Sequence, residues 1–177
     1  MQEALGQTLV IENRPGASEV IATDLLAKAE PDGYTVGLAT QSLPINAALR
    51  TDLPFDVDKD FQAVSVLVHV PFVLVVNPDV PVGNVGELVA LAKKEPGKLN
   101  FAHIGTGTPH FLAMEWFKQT AGIDIVGIPY KGVAPGMAAV SAGEAQLSLT
   151  GLTAGMAQVK AGKLKALAVA TAKRNSA

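Results

Sequence analysis

The chain has 177 residues, 49% of them hydrophobic and 17% charged, enough apolar surface to offset the entropy lost on folding, which excludes a disordered polypeptide. A formal net charge of −2 supplies no positive field for phosphate backbones and argues against nucleic acid as a partner, and the lack of cysteine removes disulfides, Cys-ligated zinc and thiol nucleophiles together. No apolar run approaches the ~20 residues needed to cross a bilayer, and Met1-Gln2-Glu3-Ala4-Leu5-Gly6 lacks the basic and apolar regions of a signal peptide.

Apolar runs rich in β-branched residues alternate with helix-like stretches, the pattern of an α/β fold with a largely parallel sheet. The start reads as the end of a helix running into a strand at residues 8–11. Further strands are expected at 35–39, 63–69, 72–76, 99–104, 123–128, 145–149 and 164–170, with helices at 19–29, 44–49, 85–94, 109–120, 135–141 and 154–160. The helix at 85–94 carries the clearest signals: Asn84 can cap it, Glu87 can return a bond to the cap amide, and Pro96-Gly97 ends it. At 109–120, Thr108 suits the cap, Pro109 the first position and Gly122 the far end. The acidic, turn-prone segment 51–60 is the best boundary, and a strand could pass between two lobes near His69 to Phe72.

The sharpest chemical signal is Gly105-Thr106-Gly107-Thr108-Pro109-His110, which follows a strand and opens a helix. Two readings fit. Unpaired amides and the positive helix end could seat an anion, with His110 placed to approach it, or the glycines could serve a tight strand-to-helix turn. No Gly-Lys-Ser/Thr follows, so a phosphate loop is excluded and a carboxylate is the more economical guest.

Tyr130, Lys131 and Gly132 lie at a second strand end, Thr40, Gln41 and Ser42 at a third, and Thr150 at a fourth, where ligands of open α/β sheets bind. For Tyr130 and Lys131 the alternative is a packed tyrosine beside a solvated lysine. This ring of mostly uncharged polar groups suits a hydrogen-bonded guest and contains no nucleophile with its base, so a binding protein is expected rather than an enzyme. His69, His103 and His110 lack metal-ligand spacing, and no cofactor is expected.

The segments Glu12-Asn13-Arg14-Pro15-Gly16-Ala17, Pro31-Asp32-Gly33-Tyr34-Thr35, Glu87-Leu88 to Lys93, Pro96-Gly97-Lys98-Leu99-Asn100, Pro129-Tyr130-Lys131-Gly132 and Ala161-Gly162-Lys163-Leu164 resemble, in order, the Bug-type substrate-binding receptors of tripartite tricarboxylate transporters. The resemblance implies a periplasmic-binding-protein-like fold of the type II, Venus-flytrap kind. It implies a receptor in the periplasm that closes on a small organic acid, held largely by backbone amides and ordered waters, and presents it to a membrane permease. The contacts implied by position are Thr40 to Ser42, Gly105 to Thr108, Tyr130 to Gly132, and Thr150.

Family members begin with a further strand, loop and helix and continue past this chain's end. The resemblance therefore implies an incomplete first lobe over 1–71, a complete second lobe over 72–165 and a return crossover over 166–177. Apolar surface left bare by that arrangement is expected to promote self-association. Ser18-Glu19 stands where the family often has a glycine pair, Phe111 where it has histidine, and Thr150 where it has aspartate. Without that aspartate the expected ligand is a carboxylate lacking an ammonium group. The competing function is an effector-sensing domain of a transcription regulator, for which no helix-turn-helix or basic segment is present.

Overall fold

The first third of the chain turns helical in short pieces. A computed structural model describes residues 2–173; the expectations attached to Met1 and to 174–177, the end of the return crossover, fall outside them. The helices here are α1 (Gln2–Leu5), α2 (Val20–Ala27), preceded by a 3-10 turn at Ala17–Glu19, and α3 (Ser42–Leu49). The third begins two residues ahead of Pro44, because the first helical turn needs no amide from proline.

The strands expected at 8–11, 35–39 and 63–69 do not form: among the described residues no ladder includes them. A strand is completed by its neighbours' backbone groups, and no neighbour is supplied to these segments. Their apolar side chains face outward, with Val10 84%, Leu38 77% and Val64 88% exposed.

Regular strands begin at Phe72. Phe72-Val73-Leu74-Val75-Val76 is a short apolar run with three valines, suited to a pleated strand buried on both faces. It forms β1 (Phe72–Val76), and its side chains alternate, Leu74 and Val76 entering one core, Val73 and Val75 the other. β2 (Asn100–His103), β3 (Val126–Pro129), β4 (Leu147–Gly151) and β5 (Lys165–Val169) complete a sheet of order β3-β2-β4-β1-β5. β2 is parallel to β3 and β4, while β1 is antiparallel to β4 and β5. The carboxyl ends of β2 to β5 and the start of β1 therefore share one end of the sheet.

Helices cover both faces. α4 (Val85–Lys94) and α5 (Pro109–Ala121) pack Leu88, Ala92 and Met114 with Phe101 and Leu147. On the other face, α6 (Val133–Ala142) and α7 (Leu152–Lys160) supply Met137, Val140 and Leu152. Both begin upstream of expectation, α6 again with its proline in the first turn.

The caps are local and follow the sequence. The Asn84 side chain accepts from the Glu87 amide at 3.0 Å. The return bond differs: the Glu87 carboxylate takes the Gly83 amide at 2.6 Å and the Asn84 side-chain amide at 2.7 Å, rather than the Asn84 backbone. Thr108 accepts from the Phe111 amide at 3.4 Å, and Gly122 closes α5 at φ 63°.

Candidate functional site

At the sheet end where four strands finish, a narrow pocket is lined by His103, His110, Val133, Met137, Ser148 and Thr150, among others. β4 carries Thr150 into it, paired with Val73 of β1. Thr150 is 2% exposed, yet its hydroxyl has no hydrogen-bond partner, and the buried Nδ1 of His110 has none either. Ser148, two residues earlier on the same face, donates to the Ala102 carbonyl at 2.9 Å.

Leaving a buried polar atom unpaired costs about 1–3 kcal/mol, so two such atoms on residues lining one pocket make it a candidate binding site. Burial pushes the His110 imidazole below its ordinary pKa, so at neutral pH the ring is uncharged and offers a hydrogen bond, not a cation. Its ring lies 4.5 Å from that of Phe72, centroid to centroid.

The glycine loop differs from its expected form. The Gly105 amide donates to Nδ1 of His103 at 3.1 Å, and the Gly107 amide donates to the Ser18 hydroxyl at 3.2 Å. Two of the amides expected to be free for an anion are therefore engaged within the chain. A Cβ added at Gly105 would strike the Ser18 hydroxyl, and one at Gly107 the Asn46 side chain; close approach of the first region requires glycine here. Thr108 is spent structurally, donating to the Gly105 carbonyl at 2.7 Å while capping α5. Thr106 remains exposed.

The other expected residues divide. Thr40 donates to the Glu19 carboxylate at 2.7 Å and accepts from the Ser42 amide at 3.1 Å. Gln41 is exposed, and Ser42 is fully buried with an unpartnered hydroxyl. Tyr130 lines a second cleft beside the glycine loop, Gly132 is the residue before α6 at φ 119°, and Lys131 is exposed and lines neither cavity.

Asn46, missed in the sequence, joins the two regions: its side-chain amide donates to the carbonyls of Ser42 at 2.7 Å, Ser18 at 2.9 Å and Gly107 at 3.4 Å. Ser18 was noted only as a departure from a family pattern. It sits in a run of three left-handed residues, Ala17, Ser18 and Glu19, at φ 47°, 55° and 75°. Such strain costs of order 1–3 kcal/mol per residue and persists only where surrounding contacts hold it; here Asn46, Thr23 and Thr40 do so. The two glycines that Ser18 faces are distant from it in the sequence, and Ala17, Ser18 and Glu19 are not residue types that favour a left-handed backbone, so the sequence carries no signal for this contact.

Among the described residues no group of three or more His, Asp or Glu side chains gathers as a metal site, and no helix is long and apolar enough to cross a membrane.

The family described as tripartite tricarboxylate transporter family receptor matches residues 1–177. A UPF0065 protein of Bordetella pertussis is 38% identical over 96% of this chain and 52% of its own length. A solved periplasmic transporter is 40% identical, with a TM-score of 0.95, over 99% of this chain and 59% of its own. An R. palustris protein solved with adipate is 35% identical, with a TM-score of 0.94, over 98% of this chain and 58% of its own. The chain thus has the fold of periplasmic binding proteins and spans about half the length of the curated relative.

Proposed function

The chain belongs to the tripartite tricarboxylate transporter receptor family, and from that membership we propose that it acts in the periplasm as part of a solute-binding receptor. The receptor captures a small organic carboxylate, leaves it chemically unchanged and hands it to a tripartite tricarboxylate-type permease. The observation that carries this reading is the pair of buried, unpartnered polar atoms of Thr150 and His110 in one pocket at the strand ends. A carboxylate oxygen accepts from the Thr150 hydroxyl, and His110 supplies a second hydrogen bond from its uncharged ring. The adipate bound by the R. palustris relative supports an acid as the guest.

In this reading residues 72–165 form the second lobe, 1–71 belong to the first, and 166–177 return toward it. β1 and β5 lie side by side, which suits a two-strand hinge at 69–72. Thr150 offers no charge to an ammonium group, so simple diacids are preferred over amino acids. Calorimetric titration is expected to give tighter binding of adipate or succinate than of aspartate. Thr150→Val should weaken the diacids by roughly tenfold while leaving the melting temperature of the unliganded protein unchanged or higher, because an unpaired buried hydroxyl is removed. Tighter binding of aspartate, or no binding of any diacid, would overturn the reading.

Self-association is part of the same proposal, because Val36, Leu38, Val64 and Val66 are all more than two-thirds exposed. Sedimentation velocity should show a dimer or larger species; a monomer at high concentration contradicts it.

A further inference from the structure

A second, wider cleft shares His103 and Ile104 with the Thr150 pocket and continues past the glycine loop. One wall includes Ser18, Asn46 and Arg50; the other includes Phe111, Glu115 and Tyr130. Arg50 has no part in the acid seat described above, and neither its position nor its charge stood out in the sequence.

Arg50 sits just past the end of α3. Arg50 follows Asn46 by one turn, and its amide donates to the Asn46 carbonyl at 2.9 Å. The Asn46 side chain reaches the Gly107 carbonyl. Arg50 itself leaves the helix in an extended conformation, φ −126° and ψ 137°, and lines the cleft beside Asn46. Its Nε and Nη2 donate to the two carboxylate oxygens of Asp52 at 3.0 and 3.1 Å. A guanidinium has five N–H donors in a rigid fork, so Asp52 fixes its orientation and leaves the remaining donors for another acceptor.

The opposite wall settles the sign of the guest. Glu115 alone would repel an anion, but its carboxylate is held 2.7 Å from the Lys118 ammonium. His103 takes the Gly105 amide on Nδ1, so its proton sits on Nε2 and that nitrogen is a donor. Tyr130 lines the same wall. Donors on both sides, with the one acidic wall residue already paired, fit an acidic group.

We infer that Arg50 is a specificity-determining residue: with one carboxylate at Thr150 and His110, the distal acidic group of the same ligand enters this cleft and is held by the Arg50 guanidinium. The inference rests on the proposed acid-binding function and deepens it. A monoacid fills the first seat and leaves Arg50 with Asp52, whereas a diacid of sufficient length engages both.

The test is calorimetric titration of the protein with adipate and with hexanoate, which share a six-carbon chain and differ in one terminal carboxylate. Arg50→Gln should weaken adipate by roughly tenfold or more while hexanoate stays within about twofold. Asp52→Asn, which releases the donors that Asp52 holds, should leave adipate binding as tight or tighter. Exposed ion pairs contribute little to stability, so both variants are expected to fold. Equal weakening of both acids in Arg50→Gln, no weakening of adipate, or weakened adipate in Asp52→Asn would overturn the role of Arg50. A wild-type protein that binds hexanoate and adipate equally also overturns it while leaving the acid seat standing; one that binds neither overturns the acid seat as well.

Discussion

Val75 and Val66 carry the same side chain into opposite situations: the first is 0% exposed within β1, the second 73% exposed on a segment without a ladder. The contrast holds for the regions around them. From Phe72 to Val169 the sheet is covered on both faces, and the central strands β1, β2 and β4 bury nearly all their apolar residues. Before Phe72, apolar runs of similar composition lie exposed, and the described contacts to the sheet region include a polar knot of Ser18, Asn46 and the glycine loop. A β-rich run becomes a strand when other strands meet it, so composition identifies candidates and pairing decides among them.

The largest predicted effect tests that difference in burial. Phe101, 0% exposed in the core beneath α4 and α5, should cost about 3–5 kcal/mol when replaced by alanine. Val66→Ala should stay within about 0.5 kcal/mol. Chemical denaturation of both variants measures the gap, and comparable losses would mean that the first region is packed as tightly as the sheet.

A smaller effect concerns the join. Gly107→Ala drives a Cβ into the Asn46 side chain, and relieving that overlap should cost about 1–3 kcal/mol. Hydrogen exchange should quicken at residues 17–19 and 42–46 and leave β1 unchanged. Uniform quickening across the sheet would show that the two regions do not separate at this contact.

The smallest effect is pH dependence. Burial holds both His110 and His103 below their ordinary pKa, so as pH falls the unfolded chain takes up protons before the native one. Stability from these groups is full above about pH 6.5 and declines below it. In a series of thermal melts, His110→Gln should reduce the acid-side slope without abolishing it, because His103 retains its share. An unchanged slope would place His110 in a more solvated setting.

What was legible in the sequence was local. Asn84 with Glu87, and Thr108 with Pro109 and Gly122, specify α4 and α5 because each signal lies within a few residues of the bonds it makes. The glycine loop was recognised as a feature, but the recipients of its amides were not, since Ser18 is 89 positions from Gly107. Arg50 was overlooked for the same reason: facing the cleft follows from α3 docking against that loop through Asn46. Thr150 was singled out as the end of a strand and by family position, whereas its isolation from any partner is a property of the packed sheet.

Nitrogen NMR of the His110 side chain during addition of adipate tests most directly whether an acid sits against Thr150 and His110. The Nδ1 resonance should move to a hydrogen-bonded position and saturate together with calorimetric binding. An Nδ1 signal that stays fixed while adipate binds would place the acid elsewhere and contradict a seat at Thr150 and His110.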